Sequence, residues 1–243
     1  MDVRTNAALA AWIDGATHRL PSGWTLIERA ADYTDYSGAA VGRHDPRASA
    51  QAGSDRFNEI MVVNSGQQRD ARQEIDADAI PNLEAAGRFW RRVNDRYGEP
   101  SGIRVDATGH GFGGTCAYAQ RASAIESGLP QDAWPEIVAF ATLGDGGLIS
   151  ARWPQATADR FTQAMNYVRV DDRIAGPYAS PGSMPSLGQN VLLPRDRNAD
   201  GPLGAHAVNS TLRWTEGEMP VEESRLWSNL RVSLTPEAPS VER

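Results

Sequence analysis

Runs of apolar residues bounded by turn residues recur along the chain and predict buried strands. In the middle of the chain, such runs cover residues 59–63, 103–107, 137–141 and 167–170. The run at residues 59–63 lacks the strict alternation of a half-exposed strand, and such a compact apolar run is typical of a strand that is covered on both faces. Two further strands are predicted near the start, over residues 24–31 and 37–43.

Apolar positions at helical spacing predict helices between these strands. The clearest series is Ile80, Leu83, Trp90, Val93 and Tyr97. Gly98 follows this series and is the expected end of the helix, because glycine commonly terminates helices. Further helices are predicted over residues 6–13, 113–127 and 156–165.

The alternation of strands and helices predicts an α/β fold with a mostly parallel central sheet flanked by helices. In such sheets the functional residues lie at the carboxyl ends of the strands. We expect one domain over residues 1–243. Residues 176–202 are rich in proline, glycine and serine, a composition that predicts a loop region. We expect a further element over residues 214–232 and a flexible tail over residues 236–243.

The composition of the chain excludes some classes of function and of binding site. The 243 residues are 40% hydrophobic, which is enough for one sizeable core. The formal net charge of -7 argues against a nucleic-acid surface, since phosphate binding needs clustered cations. A single cysteine, Cys116, excludes an internal disulfide and a cysteine-rich metal site. No cofactor is indicated.

The amino-terminal segment bears on where the protein resides. Its apolar patch at residues 7–13 ends at Asp14 and is too short to span a membrane. The segment also lacks the cleavage-site pattern of a conventional signal peptide. We therefore expect a soluble protein without a transmembrane segment, and leave the compartment open between the cytoplasm and non-classical secretion.

The segment Gly-His-Gly-Phe-Gly-Gly at residues 109–114 stands between a predicted strand and a predicted helix. A nucleophile elbow, normally Gly-x-Ser-x-Gly, requires this context, because small residues let the strand turn sharply into the helix. The same letters also fit the phosphate-binding pattern Gly-x-Gly-x-x-Gly. That alternative needs an acidic residue about 20 positions further on, and here such a residue is poorly placed.

The elbow resembles that of the class 3 lipases, which carry Gly-His-Ser-Leu-Gly-Gly at this place. Gly111 stands where the family has its nucleophilic serine. The resemblance extends to Ser65-Gly66-Gln67, which follows a buried strand as the family's oxyanion tripeptide does, and to a turn at residues 140–144. It implies an α/β-hydrolase fold, with the backbone N–H groups of Phe112 and Gln67 as oxyanion donors.

The resemblance also supplies an acid and a base in the chain order of α/β-hydrolases. Asp172, rather than its neighbour Asp171, matches the family's catalytic aspartate, although Arg173 replaces the proline that normally follows. His206 matches the catalytic histidine. His110 is expected to support the turn rather than to perform chemistry.

These residues imply a lipase- or esterase-type scaffold for a lipid or small ester substrate, without its nucleophile. Cys116, Ser65 and Ser101 are poorly placed to substitute for the serine, and a water held by His206 would give weak turnover. The glycine is consistent with a deliberately inactivated hydrolase. The alternative is a natural pseudoenzyme that binds a lipid or a protein partner in the former acyl pocket.

A polar turn further along has the oxygen-ligand spacing of half a calcium loop. Its candidate ligands are Asp196, Asn198 and Asp200, but Ala207 stands where a calcium loop has its glutamate. An ordinary turn is the preferred interpretation, so that no metal site is assigned.

Overall fold

A computed structural model describes residues 2–30, 35–44, 57–66, 77–143, 147–175, 187–195 and 206–213. Within these ranges the strands form one seven-stranded sheet, ordered from the first to the seventh along the chain. The strands are β1 Trp24–Arg29, β2 Gly38–His44, β3 Phe57–Asn64, β4 Val105–His110, β5 Ile137–Phe140, β6 Ala164–Arg169 and β7 Gln189–Leu193. The β1–β2 and β2–β3 pairs are antiparallel, and every pair from β3 to β7 is parallel.

Helices cover both faces of this sheet. They are α1 Val3–Ile13, α2 Ile80–Val93, α3 Glu99–Ser101, α4 Phe112–Glu126, α5 Leu148–Arg152 and α6 Val208–Arg213. Alternate residues of β3 face opposite sides: Ile60 and Val62 join the core under α2 and α4, whereas Met61 and Val63 pack with Leu9 of α1. The predicted α/β architecture, a mostly parallel sheet flanked by helices, is therefore confirmed.

The predicted end of the second helix was wrong. The helix does not stop at Gly98 but continues through a π-helical turn, Asn94–Gly98, and α3 as far as Gly102, whose φ is 68°. Gly98 itself keeps right-handed helical angles. A Cβ there would lie 2.7 Å from Cγ2 of Val105, so this glycine allows the helix to approach β4 closely.

Two further predictions failed along the second half of the chain. The helix predicted over residues 156–165 is only a short 3-10 helix, Ala158–Phe161. Its expected last residues belong instead to β6, where Ala164 and Met165 pair with β5. The loop predicted over residues 176–202 contains β7, which pairs with β6. Pairing with distant strands overrides local preference in both places.

Some predictions fall outside the described residues. They concern the element at 214–232 and the tail at 236–243. Among the helices that the structure describes, none is both long and apolar enough to cross a membrane.

Arg121 of α4 is unusual because its charged guanidinium lies in the core of the protein. The residue is fully buried, and its Nε and Nη1 donate to the carbonyls of Arg160 and Pro135 at 2.7 and 2.6 Å. The guanidinium carbon lies 5.3 Å from the ring centre of Trp134 and 5.7 Å from that of Phe161. Burial lowers the pKa of Arg121 to about 10, so the side chain stays charged at neutral pH.

We expect Arg121→Lys to lower the free energy of unfolding by about 2–3 kcal/mol, since an ammonium cannot reproduce the planar fork that reaches both carbonyls. Urea unfolding followed by circular dichroism measures the loss. Arg88→Lys is the control, because the exposed Arg88 pairs only loosely with Glu84, at 3.9 Å. Equal effects of the two substitutions would contradict this account.

Candidate active site

The site is centred on the turn between β4 and α4. Gly111 alone separates the two elements, and its φ of 55° and ψ of -125° are angles that glycine adopts readily and other residues only under strain. Its N–H donates to the carbonyl of Phe140 at 3.0 Å, and its carbonyl accepts from the N–H of Gly114 at 3.0 Å. The turn is thus tied both to β5 and to the helix that it starts.

The other glycines of this segment are required by close packing. A Cβ on Gly109 would lie 2.4 Å from the backbone of Gly113, and a Cβ on Gly113 would lie 2.3 Å from the carbonyl oxygen of Asn64. A Cβ on Gly114 would meet the hydroxyl of Thr142 at 2.2 Å. Protein atoms therefore fill the space beside these glycines. Among the described strands, the sequential order also lacks the reversal at which a dinucleotide binds.

His206 and Asp172 form a buried pair beside this turn. Nδ1 of His206 lies 2.9 Å from Oδ2 of Asp172, and the two residues are 6% and 1% exposed. Oδ1 of Asp172 accepts from the N–H groups of Ile174 and Ala175 at 2.8 and 2.9 Å. Both carboxylate oxygens are therefore satisfied.

The environment of Asp172 keeps it ionised. Burial by itself would raise the pKa of this carboxyl. The hydrogen bond with His206, the charge of that ring and the two backbone N–H groups outweigh burial and hold the pKa below its ordinary value. An ionised Asp172 accepts from Nδ1–H of His206, so Nε2 is the ring nitrogen that is left to accept a proton.

The basic nitrogen faces position 111. A Cβ built on Gly111 would lie 3.6 Å from Nε2 of His206. A serine hydroxyl extends one bond beyond its Cβ, so it would come within hydrogen-bonding reach of this nitrogen. The structure thus brings together the three positions that the sequence singled out for nucleophile, acid and base.

A second acid–histidine contact adjoins the first. Nε2 of His110 lies 2.6 Å from the carbonyl oxygen of His206, and Nδ1 of His110 lies 3.7 Å from Oδ2 of Asp14. Oδ1 of Asp14 accepts from the hydroxyl of Ser65 and from the N–H of Gly66, each at 2.8 Å. Burial lowers the pKa of His110 to about 3 and raises that of Asp14 to about 6.

Sequence reasoning missed Asp14, which had been noted only as the end of an apolar patch. The residue caps the carboxyl end of α1, and it reaches the site only because α1 packs across the sheet. No local signal in the sequence marks that contact.

Of the two predicted oxyanion donors, the structure describes one. Phe112 is the first residue of α4 and directly follows Gly111. Gln67 lies outside the described residues, as do Asp196, Asn198 and Asp200. The last described residue before Gln67 is Gly66, where a Cβ would lie 2.4 Å from the carbonyl oxygen of His110. Gly66 therefore lies directly against the last residue of β4.

The alternative nucleophiles are engaged elsewhere. Cys116 is fully buried in the core beneath α4. The hydroxyl of Ser65 donates to Asp14, and that of Ser101 donates to the carbonyls of Tyr97 and Gly98. In the described ranges, no group of three or more histidine, cysteine or acidic residues could hold a metal ion.

Backbone strain is also found beside the elbow. Ala141 has a φ of 45°, which makes it the one non-glycine residue with a positive φ in the described part of the chain. It directly follows Phe140, whose carbonyl accepts from Gly111. Such conformations cost about 1–3 kcal/mol and persist only where the surroundings enforce them, which is common at functional sites.

Comparisons with known proteins give a match in structure but not in sequence. No protein-family model matches the chain, and no curated protein matches it. The structure is similar to the lipase from Rhizopus microsporus var. chinensis, with 14% identity, coverage of 74% of this chain and 68% of that chain, and a TM-score of 0.50. A Rhizomucor miehei lipase propeptide complex gives 14% identity, coverage of 79% and 66%, and a TM-score of 0.53.

At such low identity the likeness bears on the fold alone. Together with the sheet and its flanking helices, it shows that the chain has an α/β-hydrolase fold. More particularly, the fold is similar to that of these two lipases. The matched part spans only about two thirds of the length of these lipases.

We expect Gly111→Ala to lower the free energy of unfolding by about 1–3 kcal/mol, because its backbone angles are strained for any residue with a Cβ. Gly111→Ser should cost less, since its hydroxyl can bond to His206. Thermal or urea unfolding measures both. Gly128→Ala, at a φ of 72° with open space around it, gives the cost of a positive φ by itself. An unchanged stability of Gly111→Ala would contradict the strained geometry.

The raised pKa of Asp14 predicts a pH-dependent stability. The unfolded carboxyl loses its proton near its ordinary pKa of 3.8, whereas the folded one keeps it up to about pH 6. Folding is therefore progressively disfavoured between about pH 4 and pH 6, by at most about 3 kcal/mol, and the effect is constant above that window.

The measurement compares urea unfolding of the unmodified chain with that of Asp14→Asn from pH 4 to pH 8. The advantage of the asparagine variant should grow up to about pH 6 and then level off. Asp132→Asn, an exposed position, serves as the control. A stability difference that does not change with pH would refute the expectation.

Proposed function

We propose that the chain is the scaffold of a carboxylic ester hydrolase, in which Asp172 and His206 are the acid and base and position 111 is that of the nucleophile. The observation that carries this proposal is the 3.6 Å between Nε2 of His206 and a Cβ built on Gly111. We further infer that residues 1–243 form a single domain around this site, for a lipid or a small ester.

The roles follow from the chemistry of acyl transfer. A serine at position 111 would give its proton to Nε2 of His206 as its oxygen attacks the ester carbonyl. Asp172 would hold the ring in the required tautomer and stabilise the imidazolium that forms. The N–H of Phe112, at the start of α4, and that of Gln67 are our candidates for the oxyanion hole, where the helix dipole also favours negative charge.

Gly111 leaves this machinery without a nucleophile. With glycine in place, no acyl-enzyme can form, and hydrolysis would depend on a water activated by Nε2 of His206. In other systems the oxyanion hole and substrate binding alone retain roughly 10³-fold catalysis over water. We therefore infer that the chain is inactive or very weak as it stands.

Restoring the hydroxyl tests the proposal. We expect Gly111→Ser to hydrolyse short p-nitrophenyl esters at least about 10³-fold faster than the unmodified chain, because the hydroxyl would complete the set with the proposed acid Asp172 and the proposed base His206. The variant should also be labelled covalently at residue 111 by a fluorophosphonate, which mass spectrometry detects even where the chosen ester fits poorly.

Two controls separate the nucleophile from a general effect on the fold. Gly111→Ala introduces the same Cβ without a hydroxyl and should remain inactive. Adding His206→Asn to Gly111→Ser should abolish both turnover and labelling. A folded Gly111→Ser protein that neither turns over esters nor reacts with the fluorophosphonate would refute the proposal.

The glycine itself favours a second candidate. Since the residue at the centre of the site cannot attack a substrate, the former acyl pocket would serve to bind a lipid or a protein partner. Fatty-acid binding measured by calorimetry discriminates between the two. Tight binding by the unmodified chain, together with no turnover by Gly111→Ser, favours the binding protein.

A further inference from the structure

We propose that Asp14 and His110 are positioning residues for His206, which they hold through its main-chain carbonyl while Asp172 holds its ring. This inference rests on the proposed function, because it assigns the two residues to the site of which His206 is the base. It extends that site to the carboxyl end of α1.

The contact with His206 fixes the tautomer of His110. The 2.6 Å contact joins Nε2 of His110 to a carbonyl oxygen, which can only accept a hydrogen bond. Nε2 must therefore carry the proton. Since burial keeps the His110 ring neutral, Nδ1 has a lone pair and no hydrogen.

Asp14 faces that lone pair. Its Oδ1 already accepts from Ser65 and Gly66, whereas its Oδ2 lies 3.7 Å from Nδ1 of His110. When Oδ2 is protonated, an approach of a few tenths of an ångström lets it donate to Nδ1 and complete a series of hydrogen bonds from α1 through His110 to the carbonyl of His206. When Oδ2 is ionised, a carboxylate faces a lone pair and the two repel each other.

Several titratable groups face His110 from the elements around it. They are Asp14 at the end of α1, His206 before α6, with a ring centre 5.1 Å away, and Asp172 after β6 behind His206. Asp172 is held ionised by its own bonds, and burial raises the pKa of Asp14. The protonation of Asp14 therefore determines whether hydrogen bonds connect α1 through His110 to His206.

Asp14 also anchors a second side of the site. By accepting from the N–H of Gly66 it holds the residue that precedes Gln67, the proposed oxyanion donor, in the chain. The helix that carries Asp14 is itself held in place, because Ala7 and Ala10 pack on Phe140 and beside Leu212 of α6. One carboxyl group thus links the base and the oxyanion loop to the same helix.

Nuclear magnetic resonance of the histidine rings tests this directly, since the chain contains only four histidines. In the unmodified chain labelled with ¹⁵N-histidine, we expect His110 to be the Nε2–H tautomer and not to titrate between pH 5 and pH 8. The proton on Nδ1 of His206, bonded to Asp172, should give a strongly downfield signal.

Substitutions at Asp14 then separate positioning from bulk stability. Asp14→Ala should make the Nδ1 proton of His206 exchange with water at least about tenfold faster, because the main chain of His206 is no longer held. Asp14→Asn should preserve slow exchange at every pH, since its amide can still accept from Gly66 and donate to His110. Asp2→Ala removes the amino-terminal cap of α1 and should leave the signal unchanged.

In the Gly111→Ser background, Asp14→Ala should lower kcat roughly tenfold with little change in KM, and Asp14→Asn should restore it and flatten its pH profile between pH 5 and pH 7. An Nδ1–H tautomer of His110, or an exchange rate unaffected by Asp14→Ala, would overturn the inference. The tautomer in the unmodified chain decides the matter even where Asp14→Ala fails to fold. The resonance readouts need no turnover, so an inactive Gly111→Ser protein would count against the hydrolase proposal alone.

Discussion

The close approach of α4 to the ends of β3 and β4 determines the geometry of the whole site. Gly109 lies against the backbone of Gly113, and Gly113 lies against the carbonyl of Asn64, at separations that leave no room for a Cβ. Interiors packed this tightly do not deform gradually, so a larger residue at either position would displace the helix as a unit. The start of α4 and the turn at Gly111 are therefore fixed by backbone contacts and do not depend on any catalytic side chain.

That independence explains how the Asp172–His206 pair can be held beside a residue that has no side chain. Asp172 is almost fully buried, and removing His206 would leave its charge without its partner. Breaking such a pair typically costs about 3–5 kcal/mol. Loss of His206 alone would therefore destabilise the fold whether or not the pair takes part in a reaction, and the presence of the pair beside Gly111 does not by itself distinguish a hydrolase from a binding protein. Only the direction of Nε2, towards position 111, points to chemistry.

The sequence predicted those features of the fold that depend on local pattern. The apolar runs became β3 to β6, and the glycine-dense segment became the turn from strand to helix. The resemblance to class 3 lipases pointed to Asp172 and His206, which the order along the chain alone would not have separated from other polar residues. β7 and the contacts of Asp14 could not be predicted in this way, because partners far away in the sequence determine them. Gly98 was misjudged for a related reason: its role is to admit Val105 of a later strand and not to end a helix.

The conformation of Gly111 shows that the shape of the turn does not require a side chain at this position. Its angles are those that strain a residue with a side chain, yet glycine occupies them at little steric cost. The backbone strain that a side chain at position 111 would cause is therefore absent here, whereas Ala141 nearby has a strained φ. Because the backbone keeps its shape without a side chain at position 111, a hydroxyl there is what the chain lacks for the nucleophile, acid and base that we propose. The fold itself places no obstacle between the two forms beyond the few kcal/mol that a Cβ at this turn would cost.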